Sequence, residues 1–278
     1  LTDITTIIDI SDLHVNSVVA LAPPTVQLDK GSYRASREQR ELWTCWLDFC
    51  EKADQQPGRR VLKLGGDLVE LDTRRRSNEL ITPDKATVQR MVMDVLEPML
   101  AVITDVIVLR GTPAHVGKGA WIEEAIAGDM TGLNVIKDDE GHLSHYHLRR
   151  SIEGVLVDMA HHAPMSGIPG KRNIAAENLA WQILYYYRIM MDTQPPRLVL
   201  RSHNHQRAHA ELTEGPYTVT VDYSPAWTLK PEYIYRIGRE NSVADIGGTF
   251  YRFSGGTFET EPITYRYKQP KGRLWQTL

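Results

Sequence analysis

The chain has 278 residues, 42% of them hydrophobic and 24% charged, which is enough for one large α/β domain or two small ones. Its 32 Lys and Arg against 35 Asp and Glu give a formal charge of -3. That excludes the strongly basic signature of a nucleic-acid binder and leaves a nucleic-acid substrate only through local basic patches. No run approaches the roughly 20 apolar residues of a spanning helix, and Leu1 to Ile10 carries two acids and no basic segment, so the reading is a cytoplasmic protein with no membrane partner.

Apolar, β-branched runs that end abruptly in polar residues predict strands buried on both faces at Thr5 to Ile10, Val61 to Leu64, Val106 to Leu109, Val155 to Met159 and Leu198 to Leu200. Helical patterns lie between them: Ser36 to Ala53, with Ser36 and Gln39 as a capping box, then Asp84 to Val102 and Asn173 to Met191. Leu21 to Arg34, with Pro-Pro and Gly-Ser, reads as a surface loop, and Leu143 to Arg149 as a solvent-facing strand. From Pro216 onward Tyr217 to Tyr223, Thr249 to Phe253 and Ile263 to Tyr267 read as antiparallel strands completing a sheet. Cys45 and Cys50 lie five apart on the first helix, where their side chains diverge too far for a disulfide, so they read as buried apolar residues. With no repeat, low-complexity tract or linker, the expectation is a single domain over 1–278, its motif-bearing core at 4–210 and a β-rich completion at 216–278.

The chemistry lies where each strand ends. Ser11-Asp12-Leu13-His14 follows the first strand, Gly65-Gly66-Asp67 the second, and Gly111-Thr112-Pro113-Ala114-His115 the third. His161-His162 follows the fourth, and Ser202-His203-Asn204-His205 the fifth. Parallel strands deliver their C-terminal ends to one edge, so these five segments converge on a crevice of Asp and His. Oxygen and imidazole donors without thiolate suit Mn²⁺, Fe or Zn²⁺ bound for chemistry rather than a structural zinc. Two such ions ~3.5–4 Å apart are a recurring device for phosphoester hydrolysis.

The ordered set Asp-x-His, Gly-Asp, a Gly-initiated block ending in His, His, and His-x-His resembles the calcineurin-like metallophosphoesterase superfamily over Ile7 to His205. The resemblance implies a two-sheet α/β/β/α sandwich with a dinuclear metal site at the C-terminal ends of the strands. It implies that Asp12, His14 and His205 bind one ion, that His161 and His203 bind the other, and that Asp67 bridges them. His115 falls at the non-ligand histidine held near the leaving group. Strand alternation leaves open whether His161 or His162 points inward; the resemblance favours His161. Thr112 stands where the family has a metal-binding Asn, Pro113 and Ala114 separate it from His115, and Ser202 replaces a Gly. A hydroxyl is a weaker ligand than an amide oxygen, so the second site is expected to be the looser. The segment Ser224-Pro225-Ala226-Trp227 is similar to phosphoesterases carried by bacteriophages and prophages.

The implied activity is a phosphodiesterase or nuclease-like hydrolase using a hydroxide between two divalent ions, Mn²⁺ first and Zn²⁺, Fe or Mg²⁺ as alternatives. Its substrate would be phosphorylated, a nucleic acid or nucleotide among the candidates. A phosphomonoesterase and a non-catalytic scaffold keeping the fold are the competing readings. An amidohydrolase is excluded because its His-x-His comes on the first strand. Arg201 and Trp227 are expected to bind substrate, with Lys171, Arg172 and Arg207 as further sources of positive charge near the phosphate and Tyr33, like Trp227, as a stacking candidate. Gly167 to Arg172 lacks the Walker spacing and reads as a turn. His145 and His147 read as a solvated strand face without a carboxylate partner, His142 and His209 likewise, and Trp181 with Tyr185 to Tyr187 as core packing.

Overall fold

The computed structural model describes residues 3–71, 79–165, 171–229 and 244–266. In chain order the elements are β1 (Thr5–Ile10), β2 (Thr25–Gln27), β3 (Ser32–Arg34), α1 (Arg37–Asp54), β4 (Arg59–Leu64), α2 (Lys85–Leu100), β5 (Asp105–Leu109), α3 (Pro113–Val116) and α4 (Trp121–Asp129). There follow β6 (Asn134–Val135), β7 (Ser144–His145), β8 (His147–Ile152), β9 (Val155–Ala160), α5 (Arg172–Tyr185), β10 (Leu198–Arg201), β11 (Ala208–Glu214), β12 (Tyr217–Tyr223), β13 (Ile246–Ser254) and β14 (Thr257–Tyr265).

Two main sheets form, of order β14-β13-β1-β4-β5-β6, with β7 also on β5, and β11-β12-β10-β9-β8. β1, β4 and β5 are mutually parallel, as are β9, β10 and β12, so within each sheet three strands end at the same edge. Side chains alternate across each strand. On β1, Ile8 and Ile10 join a core with α1, α2 and α4, while Ile7 meets Val157, Met159, Leu198 and Leu200 of the second sheet. Val199, Val219 and Val221 turn the other way, onto Ala176, Ala180 and Leu184 of α5. The layers are therefore α/β/β/α, as expected, with three apolar cores between them.

The five central strands and the first two helices lie within two residues of their expected bounds. Ser36 caps α1: its hydroxyl accepts from the Gln39 N–H at 3.1 Å, and the Gln39 side chain accepts from the Ser36 N–H. Gln39 is fully buried because its amide also donates to the Ser17 and Ala20 carbonyls, tying α1 to the loop after β1. Cys50 is buried, Cys45 half-buried, and both are free thiols.

Several expectations are corrected. The segment 143–149 is not one strand: Ser144–His145 pairs with β5 in the first sheet, and His147 onward pairs with β9 in the second. The chain crosses between sheets at Tyr146, which inverts the alternation that suggested a single strand. The region after Pro216 does not complete one sheet. β12 runs parallel to β10, whereas β13 and β14 return to the first sheet, β13 antiparallel to β1. The presumed loop 21–34 contains the β2–β3 hairpin, and β11, α3 and α4 had no predicted counterpart. The α-helix over Asn173 ends at Tyr185 and continues to Met190 as a π-helical turn. Trp181 and Tyr185 are 46% and 64% exposed, not packed in the core. Tyr267 and Gly167 to Gly170 lie outside the described residues.

Between the sheets the alternation places a buried charge pair. Lys63 Nζ donates to Asp9 Oδ1 at 2.7 Å, and Ser224 Oγ donates to Asp9 Oδ2 at 2.7 Å, with both charged side chains essentially inaccessible. Removing one partner strands the other charge in a low-dielectric layer. Asp9→Ala is therefore expected to lose about 3–5 kcal/mol of unfolding free energy in denaturant titration. Asp9→Ala with Lys63→Met is expected to recover most of that loss; equal destabilisation in the single and double variants would show that the stranded charge is not the cause.

Candidate metal centre

Asp67 sits just past β4, at the middle of the site. The preceding Gly66 has φ +94°, and a Cβ there would lie 2.7 Å from His161 Nδ1, so the turn needs glycine. Gly111 is the second close approach: a Cβ would lie 2.2 Å from the Asp67 nitrogen. Through that gap the Thr112 N–H reaches Asp67 Oδ1 at 2.5 Å. Asp67 Oδ2 lies 3.1 Å from His161 Nε2 and 3.9 Å from His203 Nδ1. The His14 N–H donates to the Asp67 carbonyl, and the Ser202 N–H to the His161 carbonyl, so backbone bonds lock the strand-end loops together.

On one side of Asp67, donors of Asp12, His14 and His205 group within 4.8 Å. Asp12 Oδ2 accepts from the backbone N–H of His203 at 3.2 Å, whereas Oδ1 is buried without a hydrogen-bond partner. That oxygen lies 3.3 Å from His205 Nε2 and 4.0 Å from His14 Nε2. His14 Nδ1 faces the Glu70 carboxylate at 2.9 Å and so donates there, leaving Nε2 as its acceptor nitrogen. His14 Nε2 and His205 Nε2 also lie 3.1 Å apart, and a buried carboxylate oxygen without a hydrogen-bond partner beside two imidazole nitrogens is a donor set that fits a divalent cation.

On the other side, His161 Nδ1 lies 2.7 Å from the Gly65 carbonyl and donates to it, which turns Nε2 towards Asp67. Thr112 Oγ1 lies 3.3 Å from His161 Nε2 and 3.1 Å from His203 Nδ1, so the hydroxyl enters this half of the cluster. Asp12, Asp67 and His161 form a further group, as do His14, Asp67 and His115, and His161, His162 and His203. Asp67 thus touches both halves of the cluster. The rings of His115, His203 and His205 are 29–33% exposed and form an open rim, while Asp12, His14, Asp67 and His161 lie beneath.

The two residues between Thr112 and His115 are absorbed by α3, with Thr112 as N-cap and Pro113 in its first turn. One helical turn brings His115 back over the site, 4.6 Å from the His14 ring. Its Nδ1 faces Glu70 at 2.7 Å, and the Leu71 N–H donates to its carbonyl. Burial alone would depress the His115 pKa; the hydrogen bond to Glu70, with the charges of Asp67 and Glu70, raises it above the ordinary value. Against its own desolvation, Glu70 is held down to about 2 by hydrogen bonds from His115 and His14.

Glu70 and Glu123 were missed from the sequence. Glu70 follows Asp67 by three residues in Gly-Asp-Leu-Val-Glu, a spacing that could have flagged it. Glu123, on α4, is fully buried and carries no such signal; its carboxyl accepts from the Gly111 and Leu68 N–H groups, bracing the two loops beneath Asp67.

Two expected substrate residues are corrected. Trp227 is fully buried, packed edge-on against Trp46 at 5.0 Å, and cannot stack on a ligand. Its backbone N–H donates to the Asp12 carbonyl, so it supports the site from below. Arg201 is only 9% exposed, because strand alternation turns it to the α5 face, where it pairs with Asp158 at 2.7 Å. Asp158 is also the carboxylate partner of His147, at 2.7 Å, and His145 is buried with Nε2 on the Ile136 carbonyl. His142 and His209 pair with Asp138 and Asp222. Arg172 remains accessible, paired with Asp245, which also accepts from the backbone N–H of Arg207. Tyr33 is half-buried and donates to Gln39. No described helix is long and apolar enough to cross a membrane.

No protein-family model and no curated protein matches the chain. Among solved structures it is similar to a predicted phosphoesterase from Streptococcus pneumoniae TIGR4, at 11% identity and TM-score 0.38, covering 95% of this chain and 91% of that one. It is also similar to Vps29 of Entamoeba histolytica complexed with Zn²⁺, at 11% identity and TM-score 0.39, covering 94% and 98%. Vps29 of Chaetomium thermophilum aligns at 10% identity and TM-score 0.37, covering 96% and 100%. Likenesses this distant carry no weight in the functional reading.

Burial first, and the Asp67 charge second, push the Glu123 pKa up from 4.5 to about 8, against the pull of its two N–H donors. In metal-free protein the unfolded chain therefore releases this proton at lower pH than the folded one. The group's stabilisation is complete below about pH 4.5 and is lost as pH rises to about 8. Over that window unfolding free energy is expected to fall with a slope approaching ~1.4 kcal/mol per pH unit from this group. Glu123→Gln is expected to remove that component in denaturant titrations at several pH values; an unaltered slope would show that Glu123 is ionised in the folded state.

Proposed function

We propose that the chain is a dinuclear metal-dependent phosphoester hydrolase of the calcineurin-like type, acting on phosphodiesters of the nucleotide or nucleic-acid class. The observation that carries this reading is the pair of donor groups flanking Asp67, one of them containing the buried, unpartnered Asp12 Oδ1. Asp12, His14 and His205 would hold one ion and His161 and His203 the other, with Asp67 between them. When bound, the ions supply Lewis-acid activation of water and neutralise charge on the phosphoryl oxygens.

The remaining steps belong to the protein. Glu70 orients both His14 and His115 and stabilises the protonated form of His115. Protonated on both nitrogens, with Nδ1 on Glu70, His115 keeps Nε2–H for the oxygen that departs from phosphorus. The partly exposed rings of His115, His203 and His205 leave the cluster open to solvent, which is compatible with a substituted phosphate.

Protein prepared with Mn²⁺ is expected to carry two ions per chain and to hydrolyse a bis-aryl phosphodiester faster than the matching monoester. Asp67→Asn is expected to lose at least one ion, since each site loses charge and the repulsion between cations is less offset. Full occupancy in that variant would remove Asp67 from the bridging position. The non-catalytic scaffold reading predicts no turnover of either ester in fully loaded protein.

His115→Ala is expected to retain both ions and lower kcat by about 10²–10⁴ for alkyl or nucleoside leaving groups, with little effect on nitrophenol esters, whose departing oxygen needs no proton. Loss of metal would make His115 a ligand instead. An equal defect on both kinds of ester would reduce it to positioning the phosphate.

A further inference from the structure

His161 and His162 are adjacent, and in an extended chain adjacent side chains diverge. β9 ends at Ala160, however, and the chain turns directly after it. The His162 ring comes back to 5.1 Å from that of His161 and 5.0 Å from that of His203. Ring nitrogens of all three lie within 4.8 Å of one another. The same space is entered by Thr112 Oγ1, 3.1 Å from His203 Nδ1 and 3.3 Å from His161 Nε2, and Asp67 Oδ2 is 3.1 Å from His161 Nε2. Edge-to-face packing is favourable for the rings by itself, but it does not require their nitrogens to face one another. Here three ring nitrogens, the Thr112 hydroxyl and one Asp67 oxygen share one space, which is a donor set for a cation.

We propose that His162 is the third imidazole ligand of the second ion, making good the donor weakened by Thr112 and converting that site to three nitrogens and the Asp67 carboxylate. This rests on the dinuclear reading and deepens it, because it assigns a preference. Three imidazoles with one carboxylate suit Zn²⁺, Fe²⁺ or Co²⁺; Mg²⁺ is disfavoured by nitrogen donors, and Mn²⁺ stands lowest in the Irving–Williams order. The other site, with Asp12, His14 and His205, has one nitrogen fewer and is expected to be the more tolerant of Mn²⁺. The two ions of one molecule would then differ, the nitrogen-rich site keeping Zn²⁺ or Co²⁺ while the other exchanges. His162 lies at the accessible edge of the group, so replacing it does not open a cavity.

The test uses full-length metal-free protein titrated with Zn²⁺ and with Co²⁺. The readouts are ions bound per chain, affinity from competition with a chelator, and the visible ligand-field absorption of the Co²⁺ form. Wild type is expected to take two ions and to prefer Zn²⁺ over Mn²⁺ at one of them. In His162→Ala one affinity is expected to fall by more than the roughly 10–100-fold that losing an outer-shell partner costs, with a changed Co²⁺ spectrum. His162→Gln, which keeps a side-chain oxygen within reach, is expected to fall between. Thr112→Val is expected to retain two ions, and thermal melts of the metal-free variants should match wild type.

Two ions in His162→Ala with unchanged affinity and spectrum would overturn the assignment. So would a rise in KM with metal binding intact, which would place His162 on the substrate. Wild type that binds neither metal would overturn the dinuclear reading itself, and this inference with it.

Discussion

The site depends on one carboxylate being held where four loops can reach it. Asp67 receives the Thr112 N–H on one oxygen, turns the other to His161 and His203, and offers its carbonyl to the His14 N–H. None of this is possible with a side chain at Gly66 or Gly111. The cost is paired with another, since Asp67, Asp12, His14, His203 and His205 are five of the nine described non-glycine residues with positive φ. Left-handed backbone at such residues costs roughly 1–3 kcal/mol each and persists only where the surroundings over-determine it. Here the surroundings are the parallel sheets, the buried Trp227 beneath Asp12 and the Glu123 brace beneath Gly111.

Electrostatics follow the same geometry. The layer between the sheets is apolar at Ile7, Val61 and Ile107 and becomes polar towards the strand ends, at Asp9, Lys63 and Ser224. Asp12 and Asp67 are held well below the usual carboxylate range despite burial, by their histidine neighbours. His161 is raised to about 9, its hydrogen bond to Asp67 and the negative field outweighing desolvation. Without a cation the cluster therefore keeps its carboxylates ionised by retaining a proton on His161, and a cation bound there would have to displace that proton.

Strand ends were legible in the sequence because both signals are local: a β-branched apolar run for the strand, then Asp, His or Gly where the chain leaves it. Ser36 with Gln39 was legible for the same reason, the capping box being a four-residue pattern. What failed depended on partners distant in sequence. The crossover at Tyr146 is set by competition between β5 and β9 for one segment, which no window of 143–149 contains. Trp227 lies in a Pro-containing segment that looks exposed until Trp46 and Phe49 of α1 close over it. Arg201 could have been read correctly: alternation from the apolar Leu198 and Leu200 already places it on the opposite face, beside Asp158 of the neighbouring strand.

Glu70 gives the last link between the parts. A single carboxylate oxygen, Oε2, faces both His14 Nδ1 and His115 Nδ1. The residue that fixes the tautomer of a candidate ligand therefore also supports the proton on the candidate acid. Charge drawn from Glu70 towards His14 by a cation on that ring is charge no longer available to His115, whose proton becomes easier to give up. The acid would thus be weakly acidic in the metal-free chain, where its pKa is raised, and stronger once a cation sits beyond His14. The shared Glu70 oxygen would in this way couple a cation on His14 to the proton on His115 without any movement of the backbone.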